Sequence, residues 1–200
     1  YGNDGRKVWV GTSGSKIIDI LVEEKPTGEI SAGAGIGTNG GTFAFTVKEN
    51  NWLGEGKKVS FDFDLSADSL KGAFNYTDPN YDFLGNSINY FLSSGTNDKP
   101  DQGYKNSIIT AGVNTSFEQY KDLYANLGLN ASYDNLKTNS TATESLKKQK
   151  GTFSELAGVY GFTYDKRNRS FMPTSGSVIR FNQTLPIYAD KAFIANTVSA

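Results

Sequence analysis

Three sets of side chains in this 200-residue chain have types and spacing that invite a chemical reading. Asp62, Asp64 and Glu155 are the acids from which paired acid–base chemistry could be built. Asp165, Arg167 and Arg169 form a charged run that could hold a phosphate. Gly33, Gly35 and Gly37 alternate through Glu29–Gly37 and leave one side of that stretch without side chains. Absences narrow the field further. With no cysteine, disulfides and thiolate metal sites are excluded, and with no histidine so are Ser-His-Asp catalysis and imidazole-bound zinc. A net charge of −1 provides no basic patch for nucleic acid. No catalytic residue, metal ligand or cofactor is therefore expected.

The blander reading of each set is the stronger one. Asp62 and Asp64 alternate with Phe61 and Phe63, so they read as solvated carboxylates on the polar face of a strand, and Glu155 reads the same way. Asp165 and Arg167, with Pro173 and Gly176 setting backbone angles, read as a turn-stabilising cluster. Glycines inside strands serve curvature and close packing more often than gating.

The elements that position these residues are strands. In Val59–Leu65, Val59, Phe61, Phe63 and Leu65 share one face and Ser60, Asp62 and Asp64 the other, a period of two. In the first such run, Ile30, Ala32, Ala34 and Ile36 oppose Ser31, Gly33, Gly35 and Gly37. Asn39-Gly40 suits a type I′ hairpin turn before Thr42–Lys48. Asn51, Trp52, Leu53, Gly54 and Gly56 read as the next turn, with Trp52 at a membrane interface.

Further along, Leu70–Thr77 alternates, and Ile88, Tyr90 and Leu92 mark a fifth strand followed by a polar loop over residues 93–105. A sixth strand, 107–114, reaches a turn at 115–119. The seventh, from Leu123 to Asp134, precedes a polar loop, 135–150, with a helical turn near 143–148. Leu156, Tyr160, Phe162 and Tyr164 define an eighth strand, 176–185 a ninth, and a tenth begins near Asp190. Upstream, Lys7–Val10 and the nearly continuous apolar run Ile17–Val22 suggest strands of a separate unit. A boundary falls at Glu23–Thr27, where Pro26 cannot donate to a ladder.

Only 37% of residues are hydrophobic, and no window holds eighteen consecutive apolar residues, so no transmembrane helix is expected. Membrane-spanning β-strands need only about 9–11 residues with alternate positions apolar. The expected long loops after strands five and seven, against shorter turns after two, four and six, resemble the loop asymmetry of porin-like barrels, an imperfect rhythm because the turn after strand eight is also long. A soluble β-sandwich would also give many alternating strands. The apolar faces here, however, stay free of charge for strand after strand, while the polar faces carry small and amide side chains.

Two separated stretches resemble one family. Pro26–Gly35 together with Glu49–Gly56 is similar to the junction and first hairpins of the BamA family of bacterial outer-membrane barrel assembly proteins. Phe162–Gly176, reading Phe-Thr-Tyr-Asp-Lys-Arg-Asn-Arg-Ser-Phe-Met-Pro-Thr-Ser-Gly, is similar to that family's turn between barrel strands eight and nine. The similarity runs from Ile17 onward. It implies an all-β antiparallel transmembrane barrel, with residues 26–200 supplying about ten of sixteen strands, left open here. Residues 1–25 would be the end of the last periplasmic POTRA domain. The chain, lacking a starting Met and a signal peptide, would be a piece of a longer protein, with the lid loop and closing strand outside it.

The implied function is non-enzymatic: folding and inserting β-barrel proteins in the outer membrane of a Gram-negative bacterium. The resemblance places a lateral gate that receives client strands at Glu29, Ile30, Ser31, Ala32, Gly33, Ala34, Gly35, Ile36 and Gly37. Implied partners are unfolded barrel precursors, assembly-complex lipoproteins reached through POTRA domains, and outer-membrane lipid. The rival is a related translocation transporter, of the two-partner secretion or translocation-and-assembly type; a porin or surface adhesin is more distant. Five upstream POTRA repeats would favour the assembly factor, two or three the rival.

Overall fold

The computed structural model describes residues 25–37, 40–169 and 172–200. The strands expected at 7–10 and 17–22, and nearly all of the expected POTRA tail, lie outside the described residues.

Ten strands form one antiparallel sheet in strict sequence order. They are β1 (Gly28–Gly37), β2 (Gly40–Trp52), β3 (Lys57–Ser66), β4 (Ser69–Asp78), β5 (Ser87–Lys99), β6 (Tyr104–Tyr120), β7 (Leu123–Thr138), β8 (Gly151–Asp165), β9 (Val178–Ala189) and β10 (Ala195–Ser199). A single helical turn, α1 (Glu144–Lys147), follows β7 as expected. The meander needs only local connections, because each strand pairs with its chain neighbour.

Side-chain parity is continuous across the sheet. Phe61 opposes Val47 on one side and Phe74 on the other, while Asp62 opposes Thr46 and Ala73. Phe43 and Phe63, and Tyr76 and Tyr90, meet as aromatic pairs on the apolar parity. Along β7, Leu127, Leu129 and Tyr133 are exposed, whereas Asn126, Asn130, Ser132 and Asp134 are half-buried. The sheet therefore curves with its polar parity on the crowded inner face. Ala125, Ala142 and Ala157 are the only buried apolar residues among those described. A single layer with no core and an apolar outer face whose charges fall only near the strand ends needs apolar surroundings to be stable.

Several sequence expectations are corrected. The polar stretch 93–105 is not a loop: β5 runs to Lys99, and β6 resumes at Tyr104 after a short 3-10 turn at Pro100–Gln102. Nor is 115–119 a turn. It continues β6 through a bulge between Glu118 and Tyr120, and the chain reverses at 121–122, where Asp122 has φ +67°. Backbone ladders do not depend on side-chain polarity, so strands extend through polar residues once their neighbours set the register. The first hairpin closes one position earlier than Asn39-Gly40 suggested: Gly37 opposes Gly40, and Gly40 already belongs to β2.

β9 begins at Val178 and runs on to Ala189, carrying Pro186 beside the register shift at Leu156/Ala157, where a missing N–H is tolerated. β10 begins at Ala195 instead of near Asp190. The loop-length asymmetry also fails. The longest connections, 139–150 and 166–177, lie at opposite ends of the sheet, and 100–103 is short.

Candidate functional site

β1 lies at one edge of the sheet. Each of its ten residues opposes one in β2, from Gly28↔Glu49 to Gly37↔Gly40. Its other edge pairs with nothing among the described residues. All ten residues are exposed. Side-chain support is thin: the Thr42 hydroxyl donates to the Gly35 carbonyl at 3.4 Å. At the strand's start, Asn50 donates its backbone N–H and its Nδ2 to the Thr27 carbonyl at 3.2 and 3.1 Å.

The glycine parity is open. A Cβ added at Gly33 or Gly37 would meet nothing within 4 Å, and one at Gly35 would lie 3.2 Å from Thr42 Oγ1. Gly33, Gly35 and Gly37 thus present bare backbone on the inner face beside the small Ser31, while Ile30, Ala32, Ala34 and Ile36 face outward beside Val47, Phe45 and Phe43. Glu29 opposes Lys48 at the start of the strand. Chemically, the outer edge of β1 offers alternating N–H donors and C=O acceptors to another extended chain, which is β-augmentation. Each glycine weakens the strand by about 0.5–1 kcal/mol relative to alanine.

The expected turn residues sit in two compact turns at the opposite end of the strands from the β1–β2 hairpin. In the first, Asn51 Oδ1 accepts the Gly56 N–H at 2.7 Å and Glu49 Oε1 accepts the Asn51 N–H at 2.7 Å. Leu53, Gly54 and Gly56 have φ of +57°, +77° and +72°, a conformation that suits the glycines and strains Leu53. Trp52 closes β2 and is exposed.

In the second, Asp165 accepts from Arg167 Nε at 2.8 and 3.1 Å, and this hydrogen bond holds the guanidinium charged above its ordinary range. Asn168 Oδ1 accepts the Thr174 and Ser175 N–H groups, which directly follow Pro173, at 3.1 and 3.3 Å. Gly176, at φ +98°, passes so close to the Lys166 carbonyl that no Cβ could fit. Both carboxylate oxygens of Asp165 are engaged by Arg167, which fits the turn-clamp reading of this cluster.

The candidate acids do not converge. Asp62 accepts from Thr46 Oγ1 at 2.9 Å, and Asp64 opposes Lys71. Glu155 lies on β8. Four strands separate β3 from β8, about 24 Å along the sheet at the usual strand spacing. No cluster of acidic residues suited to a metal ion occurs among the described residues.

One feature of the inner wall had no signal in single-strand patterns. Asparagines lie flat over glycines of the next strand: Asn114 over Gly128, Asn130 over Gly112, and Asn182 with Asn126 over Gly161. Asn126 Nδ2 donates to Asn182 Oδ1 at 2.9 Å. Any Cβ at these three glycines would collide with an amide. The wall of β6–β9 is thereby locked, in contrast to the open glycines of β1. Only the register brings such Asn–Gly pairs together, so alternation alone could not find them.

Comparison with known proteins bears on this geometry. Residues 51–198 match the model of the Omp85 superfamily domain. The chain is 28% identical over 195 residues to the outer membrane protein assembly factor BamA of Neorickettsia risticii (strain Illinois), covering 92% of this chain and 26% of that protein. The crystal structure of BamA from Haemophilus ducreyi lacking POTRA domains 1–3 has a similar fold, with a TM-score of 0.66 at 21% identity. That match covers 92% of this chain and 38% of the other. The chain thus spans about a quarter of the length of the first relative and less than two fifths of the second.

Proposed function

This chain belongs to the Omp85 superfamily, and from that premise we propose that it supplies the first ten strands of an outer-membrane barrel that folds and inserts other β-barrel proteins. Residues 26–200 are the barrel part, and residues 1–25 are the end of a periplasmic POTRA domain. Glu29–Gly37 is the lateral gate. The observation that carries this reading is intrinsic to β1: thin side-chain support and bare glycines on its inner face. In hydrocarbon, unpaired N–H and C=O groups each cost several kcal/mol, so an opened seam favours capture of an incoming strand. Similarity to an outer membrane protein assembly factor supports the assembly role over an enzymatic one. Partners on this reading are unfolded barrel precursors, lipoproteins engaged through POTRA domains, and outer-membrane lipid.

Site-specific crosslinking tests it. Single cysteines at Ser31, Gly33 or Gly35 in the full-length protein, with native cysteines replaced elsewhere, will capture the terminal strand of a stalled precursor. Cysteines at Asn126 or Ser132, on the locked wall, will not. An assembly factor captures many different precursors. Capture of a single cognate exported protein would instead identify a translocation transporter, and capture at Asn126 as strong as at Gly33 would remove the gate from β1.

A further inference from the structure

We infer that the β4–β5 turn, residues 79–86, is a membrane-interface anchor whose Phe83-Leu84 tip seats at the phospholipid headgroup–acyl boundary. The inference rests on the membrane reading above and adds a docking element that neither the gate nor the strand pattern supplies.

The turn is built to hold an apolar tip in the open. Asp82 Oδ1 accepts the N–H groups of Leu84 and Asn86 at 2.9 and 3.1 Å, and Asp82 Oδ2 accepts Asn86 Nδ2 at 2.7 Å. The Tyr81 N–H donates to the Asn86 carbonyl at 3.0 Å, and Gly85 supplies the left-handed residue at φ +79°. With four of its backbone N–H groups bonded within the turn, it still leaves Phe83 96% and Leu84 71% exposed. Water does not favour fixing a phenyl and an isobutyl group in that position, since removing apolar surface from water is favourable.

Continuity with the outer face identifies the occupant. The neighbouring turn on one side carries Trp52 and Leu53, the latter 79% exposed, and the neighbour on the other carries Tyr120, 70% exposed. These residues form a row at one end of the apolar face. At the other end, β5 closes in Ser93-Ser-Gly-Thr-Asn-Asp-Lys99, and β6 begins with Tyr104-Lys-Asn-Ser107. That end is polar on both parities and stands clear of hydrocarbon. Aromatic and apolar side chains just beyond the strand ends are what a headgroup boundary selects. Because the turn lies outside β4 and β5, its tip reaches the boundary and not the bilayer centre.

Nitroxide accessibility tests this. Phe83→Cys, Tyr81→Cys, Phe61→Cys and Asp101→Cys are labelled one at a time in the full-length protein, with native cysteines replaced, in phosphatidylethanolamine–phosphatidylglycerol vesicles. Collision with oxygen is compared with collision with a water-soluble nickel chelate. The oxygen-to-nickel ratio at 83 will be several-fold above that at 101 and below that at 61. The label at 81, which leaves Phe83 and Leu84 in place, will also exceed 101. Nickel preference at 81 or 83, or shielding from both reagents by a covering protein, overturns the anchor while oxygen preference at 61 leaves the membrane reading standing. Nickel preference at 61 as well overturns the membrane reading itself.

Discussion

An arginine at Phe61 should be among the most costly single substitutions in this sheet, and the same residue one position along should not be. Phe61 is four residues from the Lys57 end of β3 and five from Ser66. At about 3.3 Å per residue and a tilt near 40°, it stands about 10 Å above the strand end. The apolar band of such barrels is about 25 Å tall, so Phe61 is close to its middle. It faces outward between Val47 and Phe74. Arginine there should cost about 2–4 kcal/mol, roughly 30- to 700-fold in the folding equilibrium. Asp62→Arg points to the inner face and loses the hydrogen bond from Thr46, at a cost of about 0.5–1.5 kcal/mol. The assay is urea-dependent equilibrium folding of the full-length protein into vesicles, comparing midpoints at constant slope. Leu127→Arg, equally far from its strand end, should match Phe61→Arg. Equal costs at Phe61 and Asp62 would refute the assignment of faces.

Glycine substitutions separate the locked wall from the open edge. Gly128→Ala drives a methyl group into the Asn114 amide and should destabilise by about 1–3 kcal/mol in the same assay. Gly33→Ala meets nothing and should stabilise β1 by about 0.5–1 kcal/mol while slowing client insertion, read by the rate at which precursors become protease-resistant. The anchor turn carries a pH dependence. Burial pushes Asp82 up, but donors from Asn86, Leu84 and Gly85 outweigh it and hold its carboxyl below the ordinary carboxylate value. A depressed folded pKa means that this contribution is fully present above the unfolded value and is lost as pH falls through the folded one. Hydrogen exchange at the Leu84 and Asn86 amides, corrected for intrinsic rates, should accelerate over that acidic window and stay flat above it.

Much of the sheet is legible in the sequence because one face must be apolar. The alternation in 30–37, 59–65, 70–77 and 123–134 located β1, β3, β4 and β7 and assigned the right parity to each. Ser93–Lys99 and Thr115–Gln119 defeated the same logic. Polar residues dominate both stretches, yet their backbones pair with residues 104–110 and 124–127 regardless of side chain. Turn placement failed by one residue at Gly40, because a glycine with positive φ can stand in the strand beside a turn as well as within it. The hydrogen bonds around Asn51 and Asp165 are local, with every donor and acceptor within a few residues. The Asn–Gly wall was not legible, because it joins residues up to 56 apart, such as Asn126 and Asn182.

The central claim is that β1 is a seam that must open to template a new strand. A disulfide between a cysteine in residues 29–37 and one in the final strand of the full-length barrel tests it most directly. Client insertion into vesicles is measured before and after reduction. The account predicts that the oxidised protein stays folded and inserts nothing, and that reduction restores insertion. Full insertion by the oxidised, locked protein would contradict it, because a closed seam has no free edge to offer.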